Sequence, residues 1–419
     1  MSLAELAAVF SHRGKLSLIQ TNIAILETDK EIKANIINKI GGTVKFGLIQ
    51  DEVGAIHESP LQAIIKFAKP RRGDSRIAPT QGKFMFGISN YGKNNVNTKA
   101  LAMEFKKLLK QSGTNSRWVI SREPTLSSVV VEQNKLTTDR GVEIVIIQFN
   151  NKLLLGKTLA VQPFKELSFR DYGRPARDDR SGMLPPKLAQ IMINLAIMPP
   201  FPPEADPPRA ETEFGGVNIL PLTKGEIKEG VWDKVILDPF CGSGTILTEA
   251  ILMGYEHIIG ADISNRAVAN TKTNIEWTQK NYELKIKNFE LLNIDATQIS
   301  KSITPNSVDA IVTEPYLGPQ RGFFDINKTV CELELLYTKS LLEFKKILKP
   351  GGRIVMVWPS FYDKRKNIFL NPDLSDFKII NPIPENLQTN IFVKLTSRNT
   401  IIYGRELQKV WREIVVLEK

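Results

Sequence analysis

The residues best suited to chemistry lie in one short stretch, Lys234–Leu247. Three apolar residues predict a buried strand that ends at Asp238, and Gly242–Gly244 then turns the chain into a helix beginning near Thr245. A strand, a glycine turn and a helix N-terminus form the nucleotide-binding corner of open α/β sheets. Glycine suits such a turn because the backbone needs positive φ and the ligand comes close to it. The stretch therefore predicts a ligand site.

The same stretch argues against phosphate-rich ligands. Leu247 occupies the position of the third glycine of the dinucleotide fingerprint, and no lysine follows Gly244 as a P-loop requires. Asp238 at the strand end repels a phosphate and attracts a cation. A dinucleotide or a nucleoside triphosphate is therefore not expected here.

A second carboxylate completes the pattern. The next apolar strand, His257–Ala261, ends at Asp262, which is placed to accept both hydroxyls of a ribose. A ribose without phosphates beside an acidic strand end indicates S-adenosylmethionine. The alternatives are that Asp238 caps the following helix and that Asp262 caps the helix starting at Asn265.

Length and composition are those of a globular protein, with 419 residues, 42% of them hydrophobic and 24% charged. We expect two or three domains. Two cysteines and three histidines predict neither a disulfide framework nor a metal site. No apolar run reaches about 20 residues and no signal peptide is recognisable, so a cytoplasmic protein is expected.

Positive charge is concentrated in one region. The net charge is +11, and residues 66–110 contain eleven basic and two acidic residues. Such a region is the electrostatic signature of a polyanion binder, although a solvated loop and helix face are the alternative. The predicted RNA-binding residues are Lys69, Arg71, Arg72, Arg76, Lys83, Lys93, Lys106 and Lys107.

The N-terminal 70 residues have the pattern of a small ferredoxin-like α+β unit. Strands are predicted at Leu16–Gln20 and Thr43–Ile49, a helix at Lys30–Ile40, and a last strand at Ile64–Ala68.

Residues 71–165 follow a basic linker and have a similar mixed pattern. A helix with one apolar and one lysine-rich face is predicted at Thr98–Gln111, and the β-branched run Ser127–Glu132 favours a strand. Further strands are predicted at Lys83–Ile88, Val142–Phe149 and Leu153–Val161.

The rest of the chain alternates strands and helices. A connector over 166–186 precedes a helix at Lys187–Ala196 and a proline-rich loop over 198–230. Five apolar strands separated by helices, then a closing hairpin, predict a doubly wound sheet with an antiparallel end. The predicted division is therefore 1–70, 71–165, 166–186 and 187–419.

Four motifs occur in the order found in class I S-adenosylmethionine-dependent methyltransferases, which the chain resembles. They are D-P-F-C-G-S-G-T (Asp238–Thr245), G-A-D-I (Gly260–Ile263), N-I-D-A (Asn293–Ala296) and T-E-P-Y-L-G (Thr313–Gly318). The upstream block Arg180–Ala196 is similar to the THUMP-domain RNA methyltransferases, in particular those that form N2-methylguanosine at position ten of tRNA. The resemblance implies a Rossmann-like domain preceded by a ferredoxin-like and THUMP half that binds RNA.

The resemblance also implies roles for individual residues. Asp238, Gly242 and Gly244 would meet the methionine end of the cofactor, Asp262 the ribose and Asp295 the adenine. The complete set of implied cofactor-binding residues is Asp238, Gly242, Gly244, Thr245, Asp262, Ile263, Asp295, Ala296, Pro185 and Lys187. Glu314, Pro315 and Tyr316 would face the target base as the catalytic residues.

One motif departs from the family. The fourth-strand motif is usually D-P-P-Y-G, and this chain has E-P-Y-L-G. An exocyclic amine needs an acceptor and an aromatic wall at this strand end, and Glu314, the carbonyl of Pro315 and the ring of Tyr316 supply both. Asp295 as a surface turn residue and Tyr316 as core packing are the alternatives.

The expected function is methyl transfer to an exocyclic amine of an RNA base, most simply guanine N2 in tRNA. A DNA adenine-N6 methyltransferase and a non-catalytic tRNA-binding protein are the alternatives. A cysteine nucleophile is disfavoured, because Cys241 and Cys331 are each interpreted as packing residues. A monomer is expected, and the need for a small activator subunit is left open.

Overall fold

The chain divides into two compact units in a computed structural model. The model describes residues 1–10, 13–53, 61, 64, 82–92, 96–149, 152–177, 183–197, 233–284, 288–319, 322, 324–363, 366–404, 408 and 410–419. The first unit comprises Met1–Lys33, Lys39–Gly42 and Lys165–Lys419, and the second comprises Ala34–Asn38 and Thr43–Phe164.

The described helices and strands alternate along most of the chain. The α-helices are α1 Ser2–Phe10, α2 Thr98–Gln111, α3 Ser128–Gln133, α4 Phe164–Tyr172, α5 Pro186–Ile197, α6 Thr245–Met253, α7 Asn265–Asn281, α8 Ile326–Ile347 and α9 Glu385–Gln388. The strands are β1 Lys15–Gln20, β2 Ile23–Glu27, β3 Lys45–Val53, β4 Phe84–Tyr91, β5 Ser116–Val119, β6 Gly141–Phe149, β7 Lys152–Val161, β8 Val235–Asp238, β9 His257–Asp262, β10 Asn288–Asn293, β11 Val308–Thr313, β12 Leu348–Asp363, β13 Lys366–Phe369, β14 Lys378–Ile379, β15 Ile401–Tyr403 and β16 Val410–Glu418. Short 3-10 helices span Ala34–Lys39 and Ala296–Lys301. None of the described helices has the length and apolar character needed to cross a membrane.

The first unit is built on a Rossmann-like sheet. Its strand order is β10-β9-β8-β11-β12-β16-β14, with β13 paired to β12 and β15 paired to β16. The first five strands are parallel, whereas β16 runs antiparallel to β12 and to β14. The predicted doubly wound sheet with an antiparallel end is confirmed, and this is the fold of class I methyltransferase domains.

The apolar sequences of the first unit explain its layers. The strands β8, β11 and β12 carry the buried apolar runs Ile236–Leu237, Ala310–Val312 and Ile354–Trp358, as expected for parallel strands covered on both faces. Helix α5 is apolar around most of its circumference, with all residues from Leu188 to Ala196 buried, so it lies inside the unit and packs on α6, β11 and β12.

A buried carboxylate ties the start of the chain to this unit. Glu5 is fully buried in α1 and accepts hydrogen bonds from the backbone N–H groups of Gly41 and Gly42, at 2.8 Å each, and from the side-chain amide of Asn194, at 2.8 Å. Burial raises the pKa of Glu5 to about 7, against the opposing effect of these three donors. The donors therefore offset part of the cost of burying the carboxyl group.

The second unit contains a five-stranded sheet of order β3-β7-β6-β4-β5. Strands β5, β4 and β6 are parallel, and β7 is antiparallel to β6 and to β3. Helix α2 packs its apolar face on this sheet, where the rings of Phe86 and Phe105 meet edge to face at 5.1 Å.

Helix α2 has the predicted lysine face. Lys99, Lys106, Lys107 and Lys110 are exposed while Leu101, Phe105 and Leu109 are buried. Lys83 is also exposed, immediately before β4. Of the other predicted RNA-binding residues, Lys69, Arg71, Arg72, Arg76 and Lys93 lie outside the described residues.

Two local predictions differ from the structure. The run Ser127–Glu132 is helical, because Ser127 accepts from the N–H of Val130 as an N-cap and only Val131 is buried. Residues 34–39 form a 3-10 helix in place of the longer α-helix predicted over 30–40. Both segments are too short for side-chain propensity to outweigh capping and tertiary contacts.

The strands assigned to the predicted ferredoxin-like unit belong to different sheets. β1 and β2 form a two-stranded sheet within the first unit, whereas β3 pairs with β7 in the second. Ile64, in the predicted last strand, is helical and buried, and residues 65–68 lie outside the described residues. The division at residues 70, 165 and 186 stays a prediction. Cys241 is buried as interpreted, but Cys331 is exposed on α8 and not a packing residue.

We predict that Glu5→Ala lowers the free energy of unfolding by about 3–5 kcal/mol, because it removes the acceptor of the Gly41 and Gly42 N–H groups and one of the two acceptors of the Asn194 amide. Urea unfolding measures this loss. The control Glu31→Ala, at an exposed position before the 3-10 helix, should change stability by less than about 0.5 kcal/mol. Equal effects of the two substitutions would contradict this role of Glu5.

Candidate active site

The carboxyl ends of the parallel strands bring the predicted acidic residues to one edge of the sheet. Strands β8, β9 and β11 end at Asp238, Asp262 and Thr313, and Glu314 follows directly after β11. Asp238 pairs in register with Gly260 of β9, so the tips of neighbouring strands lie side by side. Ligands of open α/β sheets bind at this edge.

Asp238 is a buried carboxylate rather than a helix cap. Its side chain is only 2% exposed, and its Oδ1 accepts from the hydroxyl of Thr313 at 2.7 Å and from the N–H of Phe240 at 3.2 Å. The helix that follows is capped by Gly244. Burial raises the pKa of Asp238 to about 7, and the negative charges of Asp262 and Glu314 add to the rise. A cation bound at this edge would restore the ionised form.

The glycine turn has the backbone geometry that its sequence predicts. Gly242 and Gly244 have φ values of 52° and 80°. A Cβ on Gly244 would lie 2.9 Å from Cγ2 of Thr271, so a side chain is excluded there by packing. A Cβ on Gly242 would meet only the carbonyl oxygen of Phe240 at 4.0 Å among the described residues. The space beside Gly242 is therefore on the ligand side of the turn.

Asp262 links two elements of the edge. Its Oδ2 accepts from the N–H of Gly242 at 3.0 Å, and its Oδ1 accepts from the N–H of Ser264 at 2.8 Å. Ser264, and not Asp262, caps α7. The next residue, Ile263, is 71% exposed. An exposed isoleucine beside a fixed carboxylate is suited to a ligand with an apolar ring next to a hydroxylated sugar.

Asp295 lies beyond the tip of β10. Its Oδ1 accepts from both the N–H and the hydroxyl of Thr297 at 2.8 Å, so Asp295 caps the 3-10 helix that begins at Ala296. This local role agrees with the alternative of a turn residue. Ala296 itself is buried.

Pro185 and Lys187 mark the start of α5. The carbonyl of Pro185 accepts from the N–H groups of Leu188 and Ala189, at 2.9 and 3.1 Å, and so begins the helix. Lys187 is exposed, and its own carbonyl lies where a side chain on Gly41 would be. The contacts of these two residues therefore show a structural role at the helix start, and their place in a cofactor pocket stays a prediction.

Glu314 is held by an arginine that the sequence analysis did not single out. Nε of Arg412 on β16 donates to Oε1 of Glu314 at 2.5 Å, and Nη2 of Arg412 lies 3.4 Å from Oε2. Both side chains are largely buried. Burial raises the pKa of Glu314, and the charge of Arg412 opposes that rise. The extra methylene of glutamate extends the carboxylate toward this partner.

The residues after Glu314 form a fixed loop with one exposed ring. Pro315 is buried, and the carbonyl of Tyr316 accepts from the hydroxyl of Tyr337 on α8 at 2.9 Å. The side chain of Tyr316 is 59% exposed. The alternative of core packing for Tyr316 is therefore wrong, and an anchored backbone presents its ring to solvent.

Three residues of the edge carried no sequence signal. Thr313 was noted only as a strand residue, Arg412 lies within the alternating strand β16, and Thr271 is one polar residue of the amphipathic α7. Each acts through a partner distant in the chain, and pairing of this kind is set by sheet order rather than by local spacing.

The donor set fits S-adenosylmethionine. A buried carboxylate at Asp238 suits a cationic group, the open space at Gly242 admits a ligand against bare backbone, and Ile263 offers an apolar surface. No lysine or arginine belongs to the glycine turn, which agrees with a ligand that lacks phosphate.

The two glycines of the turn predict contrasting variants. Gly242→Ala should cost about 1 kcal/mol of stability from its left-handed φ and abolish measurable binding of S-adenosylhomocysteine. Gly244→Ala should lower the free energy of unfolding by about 3 kcal/mol, because the cost of the left-handed φ and the cost of the steric contact with Thr271 are summed. Thermal unfolding and calorimetric titration measure the two effects. Wild-type affinity in Gly242→Ala would place the ligand elsewhere.

The raised pKa of Asp238 predicts a proton-linked binding reaction. A ligand ammonium beside Asp238 favours the carboxylate, so binding at pH 6.5 should release about 0.7 proton and binding at pH 9 almost none. Affinity should therefore rise as the pH increases from 5 to 8. Titration of S-adenosylhomocysteine in buffers of different ionisation enthalpy measures the release. The Asp238→Asn variant should bind S-adenosylhomocysteine more weakly and without releasing a proton. An unchanged proton release in this variant would assign the proton to another group.

Comparison with known proteins relates the chain to RNA methyltransferases. Residues 229–368 match the UPF0020 family model, described as an RMKL-like methyltransferase domain. The tRNA (guanine(10)-N2)-dimethyltransferase of Methanothermobacter thermautotrophicus is 29% identical over 245 residues, which are 58% of this chain and 58% of the relative. The human U6 snRNA (guanine-N(2))-methyltransferase THUMPD2 is 31% identical over 142 residues, 33% of this chain and 24% of the relative.

Among solved structures, TrmN from Thermus thermophilus aligns over 100% of this chain and 95% of its own, with 17% identity and a TM-score of 0.49. The chain spans less than two thirds of the length of the first curated relative. The sequence matches confirm the resemblance to THUMP-type class I RNA methyltransferases, and the match to the RMKL-like methyltransferase domain model covers residues 229–368.

Proposed function

We propose that the chain transfers a methyl group from S-adenosylmethionine to the exocyclic N2 amine of a guanine in RNA, and that the RNA is a tRNA. The observation that carries the proposal is the edge at which Asp238, Asp262 and Glu314 converge beside an exposed Tyr316. The sequence relatives act on guanine N2 of tRNA and of U6 snRNA, as their names state.

The cofactor would be held by the edge residues. Asp238 would meet the ammonium of its methionine part, Gly242 and Gly244 would face the same part with backbone, and Thr245 would border it. Asp262 would accept the ribose hydroxyls with lone pairs that its two backbone donors leave available. Ile263, Asp295 and Ala296 would flank the adenine. When bound, this cofactor supplies a methyl group already activated by its sulfonium.

The chain's contribution to the chemistry is placement of the amine. The carboxylate of Glu314 and the carbonyl of Pro315 would accept its N–H groups, directing the nitrogen lone pair at the methyl group. Arg412 holds the Glu314 carboxylate in position. The methyl group would leave the sulfur of the cofactor as the nitrogen bonds to it, and the nitrogen would then lose one proton to an acceptor or to water. Tyr316 would stack on the guanine after it leaves its helix.

The second unit would bind the RNA backbone. The exposed Lys83, Lys106 and Lys107 are cations on a unit whose helix α2 also exposes Lys99 and Lys110, and several cations on one helix face suit phosphates better than any one of them alone. Lys69, Arg71, Arg72, Arg76 and Lys93 are proposed to take part as well. A monomer in the cytoplasm is proposed, with the need for an activator subunit open.

The experiment is methyl transfer from labelled S-adenosylmethionine to unmodified tRNA and to duplex DNA, followed by mass spectrometry of the nucleosides. We expect N2-methylguanosine in tRNA alone. Glu314→Gln should lower kcat about a hundredfold, because it removes the charge near the reacting nitrogen. Tyr316→Ala should lower the methyl-transfer activity about tenfold or more, because it removes the ring that would stack on the guanine. Tyr316→Phe keeps the ring and should keep most of the activity.

Glu332→Gln on the exposed face of α8 is the matched control and should behave as wild type. Methylated adenine in DNA would favour a DNA methyltransferase. Binding of tRNA without transfer, unaffected by Glu314→Gln, would identify a non-catalytic RNA-binding protein.

A further inference from the structure

Arg174 is a buried arginine next to the glycine turn. It lies in the connector between α4 and α5 and is only 5% exposed. Its Nη1 donates to the hydroxyl of Thr245 at 2.6 Å, and its Nη2 lies 3.5 Å from the sulfur of Met183. Thr245 is the first residue of α6, directly after Gly244. The guanidinium is therefore fixed at the end of the turn.

Within the described part of the chain, this guanidinium has no anionic hydrogen-bond partner. Among the described residues no carboxylate oxygen bonds to it, and its Nε has no hydrogen-bond acceptor. The nearby carboxylate of Glu249 is already bound by Arg170 and by the amide of Gln190. Burial lowers the pKa of Arg174, and the more distant charges of Asp171 and Glu249 oppose that effect. Burying a cation without an anionic partner costs several kcal/mol.

The connector that carries Arg174 is tied to the turn by a second set of bonds. Asn274 on α7 accepts from the N–H of Ala176 at 3.0 Å and donates to the carbonyls of Ala176 at 2.8 Å and of Ser243 at 2.7 Å. One side chain thus joins the connector to the centre of the turn. The position of Arg174 is set by the same residues that set the turn.

The surroundings of Arg174 favour an anion. The first N–H groups of a helix lack partners within the helix and carry partial positive charge, and Thr245 opens α6. A guanidinium and a helix N-terminus together suit a planar carboxylate. Asp238, at the strand end before the turn, offers the opposite charge.

We propose that Arg174 binds the carboxylate of the methionine part of the cofactor, opposite the ammonium held at Asp238. This inference rests on the proposed use of S-adenosylmethionine. It assigns recognition of the amino-acid group to two oppositely charged buried residues on either side of the turn. The free Nε and the remaining Nη protons of Arg174 supply the donors.

The test is a cycle of ligand and protein changes measured by calorimetry. The ligands are S-adenosylhomocysteine and its decarboxylated analogue, which keeps the amine and the nucleoside. Wild type should bind the analogue at least about thirtyfold more weakly. Arg174→Met should weaken the binding of S-adenosylhomocysteine by a similar factor and change the affinity for the decarboxylated analogue less than about threefold. Arg174→Lys keeps the positive charge but loses the planar guanidinium. Its affinity for S-adenosylhomocysteine should therefore lie between those of the wild type and Arg174→Met.

Arg170→Met is the matched control, because Arg170 is equally an arginine of this region but is paired with Glu249. It should lower the melting temperature and leave the discrimination between the ligands unchanged. Wild type that binds both ligands within threefold of each other overturns the inference even if Arg174→Met does not fold, and leaves the proposed function intact. Equal weakening of both ligands by Arg174→Met also overturns it. A wild type that binds neither ligand contradicts the proposed function itself.

Discussion

The site depends on one carboxylate that bonds two backbone N–H groups from different elements. Asp262, at the tip of β9, accepts from the N–H of Gly242 in the turn after β8 and from the N–H of Ser264 at the start of α7. These bonds set the separation of two strand tips without any side chain entering the space between them. Thr271 packs on Gly244 from behind, so the turn is held on its protein side and open on the other. The fold thereby presents bare backbone to a ligand, which flexible side chains alone cannot do.

The two buried carboxyl groups at this edge of the sheet have different partners. Asp238 and Glu314 are both carboxyl groups with raised pKa values, since burial removes them from water. Glu314 has Arg412 as its partner, whereas among the described residues Asp238 accepts from two neutral donors, the hydroxyl of Thr313 and the N–H of Phe240. Glu314 thus has a charged partner within the protein, and Asp238 is held by a hydroxyl and a backbone N–H. This difference is the basis for the proposal that Glu314 positions the substrate and Asp238 binds a cationic group of the ligand.

Most of the sheet could be predicted from the sequence, because parallel strands buried on both faces read as short runs of valine, isoleucine and leucine. The acids at the strand ends and the glycine turn followed from the same pattern. Arg412 and Arg174 could not be predicted, since one comes from an antiparallel strand far along the chain and the other from a connector without secondary structure. The strand predicted at Ser127–Glu132 was wrong, because the N-cap Ser127 outweighed the β-propensity of the three valines that follow it.

The position of β16 has a consequence for how the domain assembles. This strand lies between β12 and β14, although β14 precedes it in the chain. Among the described strands β14 pairs with β16, and the same strand β16 carries Arg412, the partner of Glu314. Closing such a distant pairing is entropically slow. Pairing of β16 with β12 therefore completes both this end of the sheet and the contact between Arg412 and Glu314 at the candidate site.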